Sequence, residues 1–369
     1  MAFVLKIRIK IMNIYENFIG GNIKITKICG SDIYLENQIR DSSEDWFYWA
    51  FCIEGAEGKK LNFHMQSNRL GYWGPAVSYD LINWHWLDNV KEDSFSYEFN
   101  ERENKVYFAH HMLYHPKRFN KIAEILSLDV FELCKSRKGR SVPACIIGKG
   151  SKSVILTARH HACESTGSFV LEGVLKELVL NPIDDVKIFC VPFVDYDGVV
   201  DGDQGKARKP HDHNRDYMPD KSIYPEISAI KEYVNKFGCN YGFDFHSPWH
   251  KGGENDNVFI VRNNVEKLNK TEKFANILEK HISETSMKYS SKNDHAPMTG
   301  WNQPSPNFGF TMMQRLECEI AHSFETAYFG TENNKISDEK MVELGKCYAR
   351  AFKEYIKEIS YICCKNCIS

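Results

Sequence analysis

A strand, a tight polar turn and a helix follow one another within residues 154–179, and this stretch restricts the possible folds of the chain most. Residues 154–156 are an apolar run typical of a buried strand. Val170, Val174 and Leu178 then recur every four residues, as on one face of a helix. The turn between them therefore lies at the C-terminal end of a strand, where ligands bind in open α/β sheets.

This turn carries His161 and Glu164, an imidazole and a carboxylate three residues apart. Either Ser165 or Thr166, which follow, is a natural N-cap for the helix. Side chains three residues apart in a tight turn can point the same way, so this pair can hold one metal ion. A histidine and a glutamate at this spacing also occur by chance, and catalytic zinc needs a third protein ligand.

His246 is the candidate for that third ligand. It ends a second apolar strand, with Asp244 two residues before it. Two strand-end sites in one α/β domain favour a shared site over two unrelated structural histidines. The sequence therefore predicts that His161, Glu164 and His246 bind one Zn²⁺ ion per chain, with water as the fourth ligand.

The pattern of apolar residues changes near residue 110. Before that point, short strand-like runs separated by Gly and Asp turns predict a β-sandwich. These runs are residues 23–28, 46–53, 61–65, 76–79 and 106–109. We expect the sandwich core to contain the tryptophans of this region, namely Trp46, Trp49, Trp73, Trp84 and Trp86.

After residue 110, strands alternate with helices, which implies a mostly parallel or mixed sheet covered on both faces. The predicted strands are residues 130–134, 145–147, 154–158, 186–192, 243–246 and 258–261, and the other helices are 116–126, 225–234, 266–282 and 338–359. We therefore predict an α/β fold preceded by a β-sandwich, with one domain over residues 1–110 and a second over residues 111–369.

Composition limits the partners and the location of the protein. The 47 basic and 49 acidic residues give a net charge of −2, so neither nucleic acid nor an anionic membrane is expected as a partner. Residues 7–11 alternate as in a strand, but Lys6, Arg8 and Lys10 interrupt any signal-peptide core. The cysteines are mostly scattered, which favours reduced thiols and a cytoplasmic protein.

A long polar loop over residues 195–217 is rich in Gly and Asp, and loops of this length are often functional. Arg208 and Arg215 lie in it, and each can bind a carboxylate or polarise a carbonyl. The acidic residues of the loop could also indicate calcium, but their spacing is not that of an EF-hand.

The motifs, in this order along the chain, resemble those of the zinc metallocarboxypeptidases of the carboxypeptidase A superfamily. The matching residues are His161, Glu164, Asp212, Asn214, Arg215, His246 and a late glutamate. Residues 73–80 and 106–109 further resemble the cytosolic carboxypeptidase subfamily, in which a β-sandwich precedes the catalytic domain. The resemblance covers nearly the whole chain and implies a mixed central sheet flanked by helices.

This resemblance also implies roles for the other residues of the site. Asp212 would orient a ligand histidine. Asn214 and Arg215 would hold the terminal carboxylate of the substrate, and Arg208 would stabilise the oxyanion. Arg315 precedes the late glutamates, where the family builds its side-chain pocket, and it suggests a preference for acidic C-terminal residues such as glutamate.

Three late glutamates compete for the role of general base, namely Glu317, Glu319 and Glu325. The subfamily has a similar serine, aromatic, glutamate and glycine pattern, which implies Glu325. The first motif departs from the family, because Ala162 and Cys163 replace its Pro-Gly, and a Cys163 thiolate could compete as a ligand. The motifs do not place the active-site tyrosine of the family.

We therefore expect a cytoplasmic zinc carboxypeptidase that removes C-terminal residues from peptides or protein tails. An amidohydrolase of acylated amino acids would share the fold and the first motif, but it would not need the N-terminal sandwich. A non-catalytic peptide-binding module is the other alternative, and the retention of three ligands and an acidic base speaks against it. The motifs do not indicate the physiological substrate or the oligomeric state.

Overall fold

The structure is a computed structural model that describes residues 12–88, 90–218, 220–283 and 285–366, so the strand predicted over residues 7–11 lies outside it. The N-terminal part contains two five-stranded sheets, ordered β1-β4-β10-β6-β7 and β2-β3-β5-β9-β8. Their strands are β1 (Asn13–Tyr15), β2 (Lys24–Cys29), β3 (Asp32–Glu36), β4 (Ala50–Glu54), β5 (Lys60–Met65), β6 (Ala76–Ser78), β7 (His85–Trp86), β8 (Val90–Lys91), β9 (Ser94–Glu98) and β10 (Lys105–Ala109).

The two sheets pack around one apolar core, which forms the predicted β-sandwich. Phe51 and Phe108 from one sheet meet Phe63 and Phe95 from the other. The ring centroids of the pairs that cross between the sheets are 5.5–5.6 Å apart, and those of Phe51 and Phe108 are 5.3 Å apart. Such offset and tilted ring pairs stabilise a core beyond the burial of their area. Trp49 belongs to this core, as predicted.

The other tryptophans do not belong to the sandwich core. Trp46, Trp84 and Trp86 lie in a second apolar core that also contains residues of the C-terminal part. The indole of Trp86 donates to the carbonyl of Ile336 at 2.7 Å, and that of Trp73 donates to the carbonyl of Phe329 at 3.0 Å. These side chains therefore fasten the sandwich to the rest of the protein, which corrects the prediction that all five fill the sandwich.

The C-terminal part is built on a seven-stranded mixed sheet, ordered β11-β12-β14-β13-β15-β17-β16. Its elements, with those that follow in the chain, are α1 (Pro116–Ile125), β11 (Val130–Lys135), β12 (Ser141–Ile147), β13 (Lys152–Ala158), α2 (Ser165–Leu180), β14 (Val186–Val191), α3 (Tyr196–Asp201), α4 (Pro225–Phe237), β15 (Tyr241–His246), β16 (Val258–Arg262), α5 (Leu268–Ser283), α6 (Phe308–Met313), β17 (Ile320–Thr326), β18 (Gly330–Thr331), β19 (Asn334–Lys335) and α7 (Asp338–Asn366).

Helices cover both faces of this sheet because the side chains of its strands alternate between them. Val154 and Leu156 of β13 join the core formed with α2, α5 and α7, whereas Ile155 joins the core formed with α4 and α6. The predicted fold, an α/β protein with a mixed central sheet flanked by helices and preceded by a β-sandwich, is confirmed.

Some local predictions were wrong or incomplete. Five strands of the N-terminal part were missed, namely β1, β3, β7, β8 and β9. Glu164, rather than Ser165 or Thr166, is the N-cap of α2. Glu317 and Glu319 precede β17, whereas Glu325 lies on it. Every cysteine whose side chain the structure describes is free, as predicted, and no described helix is long and apolar enough to cross a membrane.

Candidate metal centre

The candidate ligands meet at the C-terminal ends of three neighbouring parallel strands, β13, β15 and β17. Ala158 at the end of β13 is in register with Phe245, and His246 at the end of β15 is in register with Glu325 of β17. Residues paired in register on adjacent strands project from the same face of the sheet. The sheet itself therefore brings Glu325 beside His246.

An unusual turn presents His161 and Glu164 beside this edge. Arg159 adopts the left-handed conformation, with φ of 62°, which is uncommon for a residue other than glycine. Its buried guanidinium donates to the carbonyl oxygen of Ala162, at 2.7 Å from Nε, and to that of Tyr114 at 3.2 Å. These bonds hold the turn in place from beneath.

A glycine allows the helix after the turn to approach β15. A Cβ atom at Gly167 would lie 2.6 Å from the backbone carbon of Phe245. This distance is too short for any larger residue, so the first turn of α2 rests directly on the end of β15. The approach brings Glu164, at the start of α2, to His246.

The three side chains form a closed donor set. Nδ1 of His161 lies 2.8 Å from Oε1 of Glu164, and Nδ1 of His246 lies 2.6 Å from Oε2 of the same carboxylate. Their ligand atoms all lie within 4.8 Å of one another, and all three residues are buried. Two imidazoles and a carboxylate are a donor set that suits Zn²⁺, so these residues fit a metal ion.

A carboxylate also lies near Nε2, the outer nitrogen, of each ligand histidine. Oδ1 of Asp212 lies 3.7 Å from Nε2 of His161, and Oδ2 of Asp244 lies 2.5 Å from Nε2 of His246. Asp244 also contacts Nδ1 of His160 at 2.8 Å. A carboxylate on the outer nitrogen fixes the tautomer of a ligand histidine and increases its basicity. Asp244 thus leaves Nδ1 of His246 to face a metal, whereas Nε2 of His161 has no hydrogen-bond partner among the described residues and lies within ion-pair distance of Asp212.

The cluster formed by His161, Glu164, His246 and Glu325 contains two buried glutamates, and the pKa values of their carboxyls shift in opposite directions. Burial opposes the charge on Glu164, but His161, Lys206 and His246 outweigh it and hold the pKa of this carboxyl well below its usual range. Burial raises the pKa of Glu325 to about 7, although His246 opposes the increase. One carboxylate is therefore kept ionised while the other can exchange a proton near neutral pH.

Asn214 and Arg215 lie on a short 3-10 helix (His213–Arg215) beside the cluster. Asn214 is buried, with Nδ2 at 3.4 Å from Nε2 of His246, and its Oδ1 accepts a hydrogen bond from the backbone of Phe308 at 3.1 Å. Arg215 is exposed, and no carboxylate among the described residues forms an ion pair with it. Its charge is thus open to a ligand from solution.

The structure does not bring Arg208 to the cluster. Its guanidinium contacts Asp41 at 2.6 Å, Asp195 at 2.8 Å and Asp203 at 3.2 Å. Three carboxylates therefore neutralise this cation, and no ion pair among the described residues joins it to Glu164.

Arg315 is also absent from the cluster. It lies before the first residue of β17, paired with Glu317 at 2.6 Å, whereas Glu325 lies near the last residue of that strand. A strand of this length spans roughly 20 Å, so Arg315 is at the opposite edge of the sheet. The prediction that Arg315 lines a substrate pocket is corrected on this ground.

Sequence reasoning missed Lys206, whose Nζ lies 3.5 Å from Oε1 of Glu164, and Trp46, whose ring centroid lies 5.6 Å from that Nζ. Asp244 lies two residues before His246 on the same strand, so the alternation of a strand indicates that the two side chains share one face. Cys163 is buried and lies outside the donor set, with its Sγ 3.9 Å from Oη of Tyr328, and its competition as a ligand stays a prediction.

Solved structures show the same fold. A metallo-carboxypeptidase from Burkholderia cenocepacia superposes with a TM-score of 0.78 at 18% identity, covering 95% of this chain and 100% of that one. A metallo-carboxypeptidase from Pseudomonas aeruginosa, in complex with (2-guanidinoethylmercapto)succinic acid, gives a TM-score of 0.77 at 19% identity, covering 94% and 99%. The chain therefore has the metallo-carboxypeptidase fold over nearly its whole length.

Sequence comparison adds further relatives, while no family model matches the chain. Cytosolic carboxypeptidase 6 from Caenorhabditis elegans is 24% identical over 236 residues, and cytosolic carboxypeptidase 2 from Xenopus tropicalis is 24% identical over 194 residues. These matches cover 56% and 45% of this chain but only 50% and 20% of those relatives. An uncharacterized protein from Zymomonas mobilis is 26% identical over 258 residues, 64% of this chain and 67% of that protein. The predicted resemblance to cytosolic carboxypeptidases is confirmed.

Proposed function

We propose that this chain, which has the metallo-carboxypeptidase fold, is a zinc-dependent carboxypeptidase that hydrolyses the C-terminal peptide bond of peptides or protein tails. The observation that supports this proposal best is the convergence of His161, Glu164 and His246 with Glu325 at one sheet edge. Three ligands and an adjacent protonatable carboxylate are what hydrolysis of an amide at a metal requires. The likeness to cytosolic carboxypeptidases favours a cytoplasmic location.

In this proposal His161, Glu164 and His246 hold one Zn²⁺ ion per chain. When bound, such an ion supplies a Lewis acid for the carbonyl and lowers the pKa of a bound water. Asp244 keeps the imidazole of His246 oriented through its outer nitrogen, and Asp212 would do the same for His161, whose outer nitrogen lies 3.7 Å from it. A ligand histidine binds a metal through its unprotonated nitrogen, so the proton of the imidazole remains on the outer nitrogen that faces the carboxylate.

The remaining steps belong to side chains of this protein. Glu325 takes the proton of the attacking water and later delivers it to the nitrogen of the leaving amine. Its register with His246 on the neighbouring strand places it beside the proposed ligands, where it can do both. Arg215, with the amide of Asn214 beside it, binds the free carboxylate of the substrate through charge-assisted hydrogen bonds. Recognition of that carboxylate limits cleavage to the last peptide bond.

The preference for acidic C-terminal residues stays a prediction. It was drawn from Arg315, which lies at the other edge of the sheet and cannot read a side chain at the cluster.

The division into domains at residues 1–110 and 111–369 also stays a prediction, and a core shared by the two parts joins them.

The function can be tested with the zinc-loaded full chain and peptides that differ only in their C-terminal residue. We expect release of single C-terminal amino acids, no release from C-terminally amidated peptides, and no hydrolysis of acylated amino acids. Hydrolysis of acylated amino acids alone would instead support the amidohydrolase alternative. Binding of peptides without any release would support the non-catalytic module.

Metal analysis of two variants then assigns the site. His246 also belongs to a second potential group with His160 and Asp244. If the metal lies between His161, Glu164 and His246, then His161→Ala loses zinc and His160→Gln retains it, and the reverse result would move the metal to the second group. His246→Ala should lose zinc in either case.

A further inference from the structure

The proposed hydrolysis needs a positive charge beside the scissile carbonyl, and Arg208 is badly placed to provide it. Each of its guanidinium nitrogens faces a carboxylate, on Asp41, Asp195 or Asp203. Its side chain is only 12% exposed. To reach a substrate, Arg208 would have to break three ion pairs, so its contacts fit the anchoring of its loop to the N-terminal part.

Arg159 is excluded for a similar reason. Its guanidinium is buried under the turn and donates to backbone carbonyls of Ala162 and Tyr114. A donor that is already used inside the protein cannot also stabilise a charge on the substrate. Arg215 forms no ion pair with a carboxylate of the described residues, but it is needed for the terminal carboxylate in the proposed function.

The loop that leads to Lys206 is fixed directly on the ligand-bearing turn. The carbonyl of Gln204 accepts a hydrogen bond from the backbone of Cys163 at 3.3 Å. Gly205 adopts φ of 79°, and a Cβ atom there would lie 2.0 Å from the backbone nitrogen of Ala162. Asp41 accepts from the backbone nitrogens of Gln204 and Gly205 at 2.8 and 2.9 Å. These contacts hold the backbone of Lys206 against the turn that carries His161 and Glu164.

Lys206, the residue after Gly205, places its charge beside the cluster. Nζ of Lys206 lies 3.5 Å from Oε1 of Glu164, and the side chain is 28% exposed, so a ligand can reach it. The ring of Trp46, with its centroid 5.6 Å from Nζ, limits the directions that the stem can take. Lys206 thus combines proximity to the proposed ligands with access from solution.

We infer that Lys206, not Arg208, stabilises the oxyanion of the reaction, an inference that rests on the proposed function. The water oxygen forms a bond to the carbonyl carbon while its proton passes to Glu325. The π electron pair of the carbonyl moves onto its oxygen, whose negative charge the ammonium of Lys206 then faces. When the pair returns, the carbon–nitrogen bond breaks and Glu325 protonates the leaving amine. Lysine provides a compact point charge, in contrast to the two-pronged donor of arginine.

The variants Lys206→Met and Lys206→Arg test this role in the zinc-loaded full chain. Loss of one oxyanion donor typically costs about 10²–10³-fold in kcat, so Lys206→Met should lose that much. Its zinc content, thermal stability and peptide KM should stay near those of the wild type, because only the reaction step loses an interaction. Lys206→Arg should regain most of the activity, and Lys209→Met, an exposed lysine of the same loop, is the matched control.

Binding measurements separate this inference from the proposed function. A phosphinic peptide carries a negative tetrahedral group in place of the scissile bond, so Lys206→Met should bind it about 10²–10³-fold more weakly. The affinity for the product amino acid should change little. Full turnover in Lys206→Met, or an affinity for the phosphinic peptide equal to that of the wild type, would show that Lys206 only neutralises Glu164. If the wild type releases no residue from any peptide, the proposed function fails, and the phosphinic comparison still decides the role of Lys206.

Discussion

Asp244 joins two histidines, with Oδ2 at 2.5 Å from Nε2 of His246 and Oδ1 at 2.8 Å from Nδ1 of His160. Because it occupies the outer nitrogen of His246, it leaves Nδ1 facing Glu164. Loss of a carboxylate in this position typically weakens metal binding about 10–100-fold. We expect that loss for Asp244→Asn, measured as the zinc dissociation constant in competition with a chelator.

The matched control is Glu232→Gln, which changes an exposed carboxylate on α4 and should bind zinc as the wild type does. Unchanged zinc affinity in Asp244→Asn would show that the outer carboxylate does not set the orientation of His246.

Glu325→Gln should retain zinc and bind peptides, yet lose about 10²–10⁴-fold in kcat, since an amide cannot accept the proton of the attacking water. Glu317→Gln and Glu319→Gln should keep wild-type turnover, because these residues precede β17 and pair with Arg315 and Lys270. Steady-state kinetics at saturating peptide measures all three. An active Glu325 variant beside an inactive Glu317 or Glu319 variant would move the base.

Arg215→Ala should lower kcat/KM for peptides with a free C-terminus. The loss of a charge-assisted hydrogen bond costs about 1.5–3 kcal/mol, which corresponds to roughly 10–150-fold. Arg102→Ala, at an exposed position of the sandwich, should behave as the wild type. Equal cleavage of amidated and free peptides by the wild type would contradict a carboxylate-reading role for Arg215.

The regular part of the centre could be predicted from the sequence because it follows from periodicity. An apolar run ending in a polar turn predicts a strand end, and parallel strands place their ends at one edge of a sheet. His161, Glu164 and His246 were found in this way, and the structure brings them together. Glu325, which the subfamily pattern implied, lies in register with His246.

The irregular part could not be predicted, because distant contacts decide it. Lys206 and Arg208 are two residues apart, and contacts of the loop with distant residues, such as Asp41 more than 160 residues earlier in the chain, determine which of them faces the ligands. The hydrophobicity of Trp46 and Trp86 likewise indicates burial without indicating in which core. Arg315 is close to Glu325 in sequence but separated from it by the length of a strand.

Arg315→Ala should leave substrate preference unchanged, since Arg315 lies at the edge of the sheet opposite the cluster. The ratio of kcat/KM for peptides ending in Glu to those ending in Leu should match that of the wild type. A faster release of Glu by both proteins would support an acidic preference that another residue sets. A preference for Glu that disappears in the variant would return the role to Arg315.

Acid should destabilise the protein through a row of buried histidines. Nδ1 of His110 lies 2.9 Å from Nδ1 of His111, and Nε2 of His110 lies 2.8 Å from Nδ1 of His250. Burial lowers the pKa of His111 and of His250 to about 3, and that of His110 well below its usual value. The unfolded chain therefore binds protons below pH about 6.5 that the folded chain cannot bind, so stability is complete above that pH and is lost as the pH falls.

Each such histidine should lower the free energy of unfolding by about 2 kcal/mol at pH 5 relative to neutral pH. His250→Phe removes one titrating group and keeps a ring against Phe47 and Phe329. The decrease in unfolding free energy between pH 7.5 and pH 5 should thus be about 2 kcal/mol smaller in this variant than in the wild type. Urea unfolding of the chelator-treated proteins measures this difference without a contribution from metal release. Equal decreases in both proteins would mean that His250 accepts a proton in the folded state.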